Sequence, residues 1–153
     1  MTSPRIVIVE ARFYDHIADL LLAGARAELE RAKMPSEVIT VPGIFEVPGA
    51  VNWVIYGRER KGFEGPVAGV VTLGCAIRGE TDHYDHICRE AMRGLQDIVL
   101  ATRLPLGNGI LTVHDESQAL ARCQPATNNF GSQAARACLS MLALARRFSK
   151  DAA

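Results

Sequence analysis

Short runs of β-branched residues alternate along this chain with stretches whose apolar positions recur every third or fourth residue. Arg5 to Glu10 (RIVIVE) is continuously apolar at its centre, the pattern of a strand buried on both faces. From Asp15 to Lys33 the spacing predicts a helix. Ile17, Leu20, Leu21, Ala25 and Leu29 share a stripe, Arg26, Glu30 and Arg31 face outward, and Pro35 stops it. Glu37 to Val41 reads as a second strand, ended by Pro42-Gly43. Pro48 then sits early in a helix running toward Arg60, where a missing amide proton costs little. Val67 to Leu73 is a third buried strand, followed by a loop from Gly74 to Thr81. The next helix runs from Asp82 to Ala101, with Ile87, Ala91, Leu95 and Ile98 along one stripe and Thr81 as its expected N-cap. Gly109 to Val113 is a fourth strand, and helical segments from Glu116 to Cys123 and from Gly131 to Phe148 complete the pattern.

The order βαβαβαβαα suits parallel strands with helices on both faces, and 153 residues suit one domain. Such sheets bind ligands at the carboxyl ends of their strands, so the loops near Glu10, Val41, Leu73 and Val113 are where chemistry is expected. Lysine plus arginine and aspartate plus glutamate each number 17, so the net charge is zero and no basic field draws nucleic acid or anionic lipid. The longest nearly apolar stretch, Val67 to Ile77, falls short of the roughly 20 residues of a membrane helix. The run from Ile6 to Val9 is too short for a signal peptide. Cys75, Cys88, Cys123 and Cys138 form no CxxC pair, and a reduced, cytoplasmic protein is expected.

The loop after the third strand is the richest in chemistry. Gly79-Glu80-Thr81 leads directly into a helix whose first amide protons lack intrahelical partners, which makes an anion site. His83 falls in the first turn beyond it, where an imidazole that changes charge near physiological pH would serve as general acid or base. His86 is three residues further on, about 60° round the helix, and reads as a packing or surface residue. A zinc site needs three or four ligands, and Asp82, Asp85, His16 and His114 show no ligand spacing, so no metal is expected. Glu46, among apolar neighbours after the second strand, is either a helix-start charge or an acceptor for polyol hydroxyls. Phe13, after the first strand, is either core or a stacking surface for a flat heterocycle. Arg122 ends the short fourth helix, where a cation is favourable with no function, yet its planar fork also suits a phosphomonoester. Neither GxxxxGK[ST] nor a GxGxxG after the first strand is present, and no GxSxG elbow occurs.

Four segments together resemble the lumazine synthase family. They are Ala11 to Asp15 (ARFYD), Val41 to Pro48 (VPGIFEVP), Leu73 to His83 (LGCAIRGETDH) and Gly107 to Thr112 (GNGILT), in the family's order and spacing. The resemblance implies a flavodoxin-like α/β fold, a three-layer αβα sandwich on a four-stranded parallel sheet. It implies condensation of 5-amino-6-(D-ribitylamino)uracil with 3,4-dihydroxy-2-butanone 4-phosphate, without a cofactor. It implies that His83 transfers protons, that Glu80, Thr81 and Arg122 hold phosphate, and that Phe13 stacks on the pyrimidine. It further implies that Ile44, Phe45 and Glu46 hold the ring and ribityl chain, with Cys75, Ala76 and Ile77 as a backbone edge beside the pyrimidine.

Two positions depart from the family's common pattern. Asn108 stands where many members have an aromatic from the neighbouring subunit, although Gly107-Asn108-Gly109 resembles a variant of the family. Phe130 stands where many have a lysine. Membership implies a homopentamer with sites shared between adjacent subunits, and in some members a shell of twelve pentamers. Cys123 to Phe130 contains Pro125 and lacks the glycines common in shell-forming members, so pentamers or pentamer pairs are expected. A non-catalytic flavin or lumazine binder on the same scaffold is the main rival, one that would use Phe13 and Glu46 but not His83. A receiver-type signalling domain is a weaker one, because Glu10 is the only acid after the first strand before Asp15.

Overall fold

In the computed structural model, which describes residues 3–57, 66–125 and 128–149, the run RIVIVE lies in the middle of a sheet covered on both faces. It forms most of β1 (Arg5–Ala11), flanked by β2 (Ser36–Val41) and β3 (Val67–Ile77), with β4 (Leu106–Val113) beyond β3. The four strands are parallel in the order β2-β1-β3-β4, with Ile8 beside Val38 and Val71, and Val71 beside Gly107. Side chains alternate across a strand, so Ile6 and Ile8 face one way and Val7 and Val9 the other, all fully buried. Each such side chain contributes about 1.5–3 kcal/mol of hydrophobic stabilisation.

The first face packs on α1 (Asp15–Arg31) and α5 (Phe130–Arg147) through Ile17, Leu21, Leu29, Ala134 and Cys138, and the short α4 (Glu116–Ala121) adds Ala119. The second packs on α2 (Val47–Gly57) and α3 (His83–Thr102) through Val47, Val51, Ala91 and Leu95. These layers are the expected αβα sandwich, and the strand order is the flavodoxin-like one. Helix α5 lies so close to β4 that a methyl on Gly107 would overlap the carbonyl of Ala134, so backbone meets backbone there.

The expected boundaries shift where pairing or capping overrides local pattern. Strand β3 continues past Leu73 because Gly74 to Ile77 pair in register with Ile110 to Val113, which puts Cys75, Ala76 and Ile77 in a strand and not in a loop. Strand β4 begins at Leu106, ahead of Gly109. The N-cap of α3 is Asp82 and not Thr81, and no side chain caps it through Asp82. The Thr81 hydroxyl still accepts the His83 amide proton, at 3.4 Å. Helix α2 is seen as far as Gly57, and its expected end near Arg60 lies outside the described residues. Helix α4 stops at Ala121, because Cys123–Gln124 (β5) pairs antiparallel with Asn128–Asn129 (β6) in a small ribbon that the periodicity did not foretell.

Asn129 anchors that ribbon. Its carboxamide donates to Leu20 O at 3.0 Å and Cys123 O at 3.2 Å, and accepts from Ser132 N at 3.0 Å as the N-cap of α5. One buried side chain thus joins α1, β5 and α5. Asn129→Ala removes all three bonds and leaves buried backbone groups unpaired, so equilibrium unfolding should show a loss of about 3 kcal/mol.

Candidate active site

The strand order reverses between β1 and β3, which leaves a crevice at their carboxyl ends, and a cleft of about 690 Å³ lies there. Phe13 and Tyr14 enter it from the turn after β1. Pro42 to Glu46 enter after β2, with Ile44–Glu46 wound into a single 3₁₀ turn. The end of β3 supplies Cys75, Ala76 and Ile77, and the following loop Gly79 and Thr81. The opposite wall is one side of α3, bearing His83, Tyr84, His86, Ile87 and Glu90.

These groups differ in how firmly they are held. Ile44 is buried against the core, which fixes the 3₁₀ turn and leaves the neighbouring Phe45 and Glu46 exposed to the cleft. The Phe13 ring is 72% exposed and meets Tyr14 edge-on at 5.0 Å, so a broad aromatic face stays free for stacking. His83 is the first residue of α3, exposed, next to the amide protons that the helix itself cannot pair. The start of α3 is fastened to the tip of β4 through Tyr84, whose hydroxyl reaches Thr112 and the Cys88 thiol, and burial pushes that phenol above its ordinary value. The Arg78 guanidinium lies 5.7 Å above the Tyr84 ring, and the Arg78 amide donates to Val113 O at 2.9 Å. The cleft therefore offers a stacking surface, the carboxylates of Glu46 and Glu90, a row of helix-start amides and the imidazoles of His83 and His86. Among the described residues no three His, Cys, Asp or Glu side chains converge as a metal site, and His16 pairs instead with Glu116 at 2.5 Å. No helix among them is long and apolar enough to cross a membrane.

The sequence model of the 6,7-dimethyl-8-ribityllumazine synthase family matches residues 3–146. The chain belongs to this family. It is 56% identical over 142 residues to a 6,7-dimethyl-8-ribityllumazine synthase of Paramagnetospirillum magneticum, covering 93% of this chain and 95% of the relative. It is 49% identical over 146 residues to one of Methylorubrum extorquens, covering 95% and 83%. A 6,7-dimethyl-8-ribityllumazine synthase 1 of Rhodopseudomonas palustris is 47% identical over 150 residues, covering 98% and 91%.

Of the residues expected in a lumazine synthase site, the cleft gathers Phe13, Ile44, Phe45, Glu46, Cys75, Ala76, Ile77, Thr81 and His83. Glu80, Asn108 and Arg122 are not on its walls. Glu80 is exposed between Gly79 and Thr81, which are. Asn108 sits on the edge strand β4, where its carboxamide oxygen accepts from Thr72 Oγ1 at 3.0 Å and Ile110 N at 3.1 Å while its nitrogen contacts Met92 Sδ at 2.9 Å. Arg122 caps α4, exposed, with Nη1 donating to Gln118 O at 2.9 Å. Tyr14, Tyr84, His86 and Glu90 line the cleft without having been singled out for it. His86, expected as a packing or surface residue, is an exposed part of the wall. The spacing 83, 86, 87, 90 is one helical face and is the signal that finds His86 and Glu90, whereas Tyr14 and Tyr84 fall outside it.

Cys75 stands on the cleft wall, yet burial pushes its thiol up to about 12, with Cys123 at about 11 and Cys138 at about 12. The thiolate is the nucleophile, and at these values it is scarce at neutral pH. Iodoacetamide at pH 7.5 should therefore leave Cys75, Cys123 and Cys138 unmodified in the native protein while alkylating all four cysteines after unfolding, as peptide mass mapping would record.

Proposed function

We propose that this cleft condenses 5-amino-6-(D-ribitylamino)uracil with 3,4-dihydroxy-2-butanone 4-phosphate to give 6,7-dimethyl-8-ribityllumazine, phosphate and water, the penultimate step of riboflavin biosynthesis. The supporting observation is that one cleft in a lumazine synthase family member unites Phe13, Glu46, Thr81 and His83 from separate segments of the chain. Phe13 stacks on the pyrimidine beside the edge formed by Cys75, Ala76 and Ile77, and Ile44 to Glu46 hold the ring and the ribityl chain. Glu46 suits that chain because a carboxylate accepts from several hydroxyl donors. The Glu80-Thr81 backbone at the start of α3 holds the phosphate.

The bonds change in an order these groups can serve. The 5-amino nitrogen attacks the ketone carbon and water leaves, forming an imine. His83 accepts the proton from the carbon between the imine and the phosphate-bearing carbon, phosphate departs with its bonding electrons, and the enol left behind becomes a ketone. The ribityl-bearing nitrogen closes the ring on that carbonyl and a second water departs. The sequence is redox-neutral, so it requires no electron carrier. Alignment of the two substrates and the pre-formed phosphate cradle supply most of the acceleration, and His83 supplies the proton transfers.

A second copy completes the site. Asn108 and Arg122 both lie off their own chain's cleft, and in a homopentamer they face the neighbour's. Large apolar side chains also stand exposed, Trp53 at 77%, Leu100 at 72% and Tyr56 at 57%, and association favours their burial. Pro125 at the β5–β6 turn favours pentamers or pentamer pairs over a closed shell. The four free thiols suit the reducing cytoplasm.

His83→Ala should lower kcat about a hundredfold while product binding, followed by fluorescence titration, survives. Unchanged turnover would mean that His83 is not the acid or base of the reaction. Arg122→Ala should raise KM for the butanone phosphate more than for the pyrimidine. Unfolding the two variants together and refolding the mixture should restore part of the activity, because a cleft with His83 then meets a neighbour with Arg122. No recovery would mean that each chain serves its own site. Sedimentation should give pentamers or their pairs, and a shell-sized particle would overturn that assembly.

A further inference from the structure

Glu10 is the penultimate residue of β1, with its side chain 3% exposed, and its two oxygens are treated differently. Oε1 accepts from Arg12 Nε at 2.7 Å and from Thr40 Oγ1 at 3.0 Å, whereas Oε2 is buried with no hydrogen-bond partner among the described residues. A buried carboxylate with an unpaired oxygen is destabilising, and an apolar side chain would fill the place at less cost. Its purpose is to be sought in what it holds.

It holds Arg12. That guanidinium also pairs with Asp19 at 2.8 Å and Asp15 at 3.4 Å on α1, and the Arg12 amide donates to Val41 O at 3.2 Å at the end of β2. One residue thereby ties together the ends of two strands and the first turns of α1. The next residue is Phe13. With its ring 72% exposed, packing cannot hold it over the cleft, so its position follows from the backbone on either side. Nε engages Glu10 while Nη1 engages the α1 carboxylates, a division that needs the planar fork of arginine and that a lysine ammonium cannot reproduce.

We propose that Glu10, Thr40 and Arg12 form a clamp that positions Phe13 over the cleft, acting on the pyrimidine substrate through the aromatic ring without touching it. The clamp rests on the reading of Phe13 as the residue that stacks on the pyrimidine. Glu10 and Arg12 are positioning residues, and their influence is on the placement of one substrate.

A double-mutant cycle on steady-state KM tests this in the assembled enzyme. Arg12→Lys should raise KM for the pyrimidine about tenfold, leave KM for the butanone phosphate unchanged, and shift the thermal midpoint by less than about 5 °C. Added to Phe13→Ala, Arg12→Lys should have no further effect, since the ring it positions is gone. Thr40→Val, which removes one bond to Oε1 and keeps the β-branched shape, should give a smaller rise of the same kind and carries the test if Arg12→Lys does not fold. Additive effects in the Phe13→Ala background, or equal rises in both KM values, would overturn the clamp. If Phe13→Ala raises the pyrimidine KM but the Arg12 and Thr40 variants do not, the clamp alone is wrong. If Phe13→Ala leaves that KM unchanged, the stacking reading falls and the clamp with it.

Discussion

Burial of β1 and β3 on both faces is the constraint from which the rest of the molecule follows. A strand covered on two sides has no wet face, so polar chemistry can be displayed only at its ends. Parallel strands put all four carboxyl ends on one side, and the reversal of order between β1 and β3 opens the crevice there. The apolar runs thus decide where the reaction takes place without contributing to it. Each reactive group is carried within a few residues of the point where a strand runs out.

That constraint is also why so much was readable from the chain. Continuous β-branched runs and three-four spacing are strong signals, and they yielded the element order, the layers and the loops that matter. The signal failed where distant partners decide the outcome. Cys75 to Ile77 look like loop after Gly74, and become strand because β4 lies alongside to pair with them. Two-residue strands such as β5 and β6 have no periodicity to detect, and the Asn129 cap that secures them depends on carbonyls of Leu20 and Cys123. Within the site, His83, Glu46, Phe13 and Thr81 carried recognisable chemistry at recognisable places. Tyr84 did not, because its value lies in reaching Thr112 on another element.

The zero net charge of the chain is the sum of local arrangements with opposite tasks. Arg12 is enclosed by carboxylates and its guanidinium is committed to them, with hydrogen bonds to Glu10 and Asp19 raising its pKa further above the ordinary value. Arg93 is likewise paired along α3 with Glu90 and Asp97. Arg122 has a different setting, at the surface, with the Gln118 carbonyl as its partner and no carboxylate paired with it among the described residues. Neutrality overall is compatible with positive charge where a phosphate would need it, because pairing has removed it from elsewhere.

The contact between Gly107 and the Ala134 carbonyl bears on how sequences of this kind can drift apart. Relatives differing at about half of their positions can exchange one core side chain for another, since neighbours adjust to a changed volume. No such adjustment is open where a strand and a helix touch through their main chains. Any descendant that keeps α5 against β4 at this distance must keep position 107 bare, and divergence has to proceed around it.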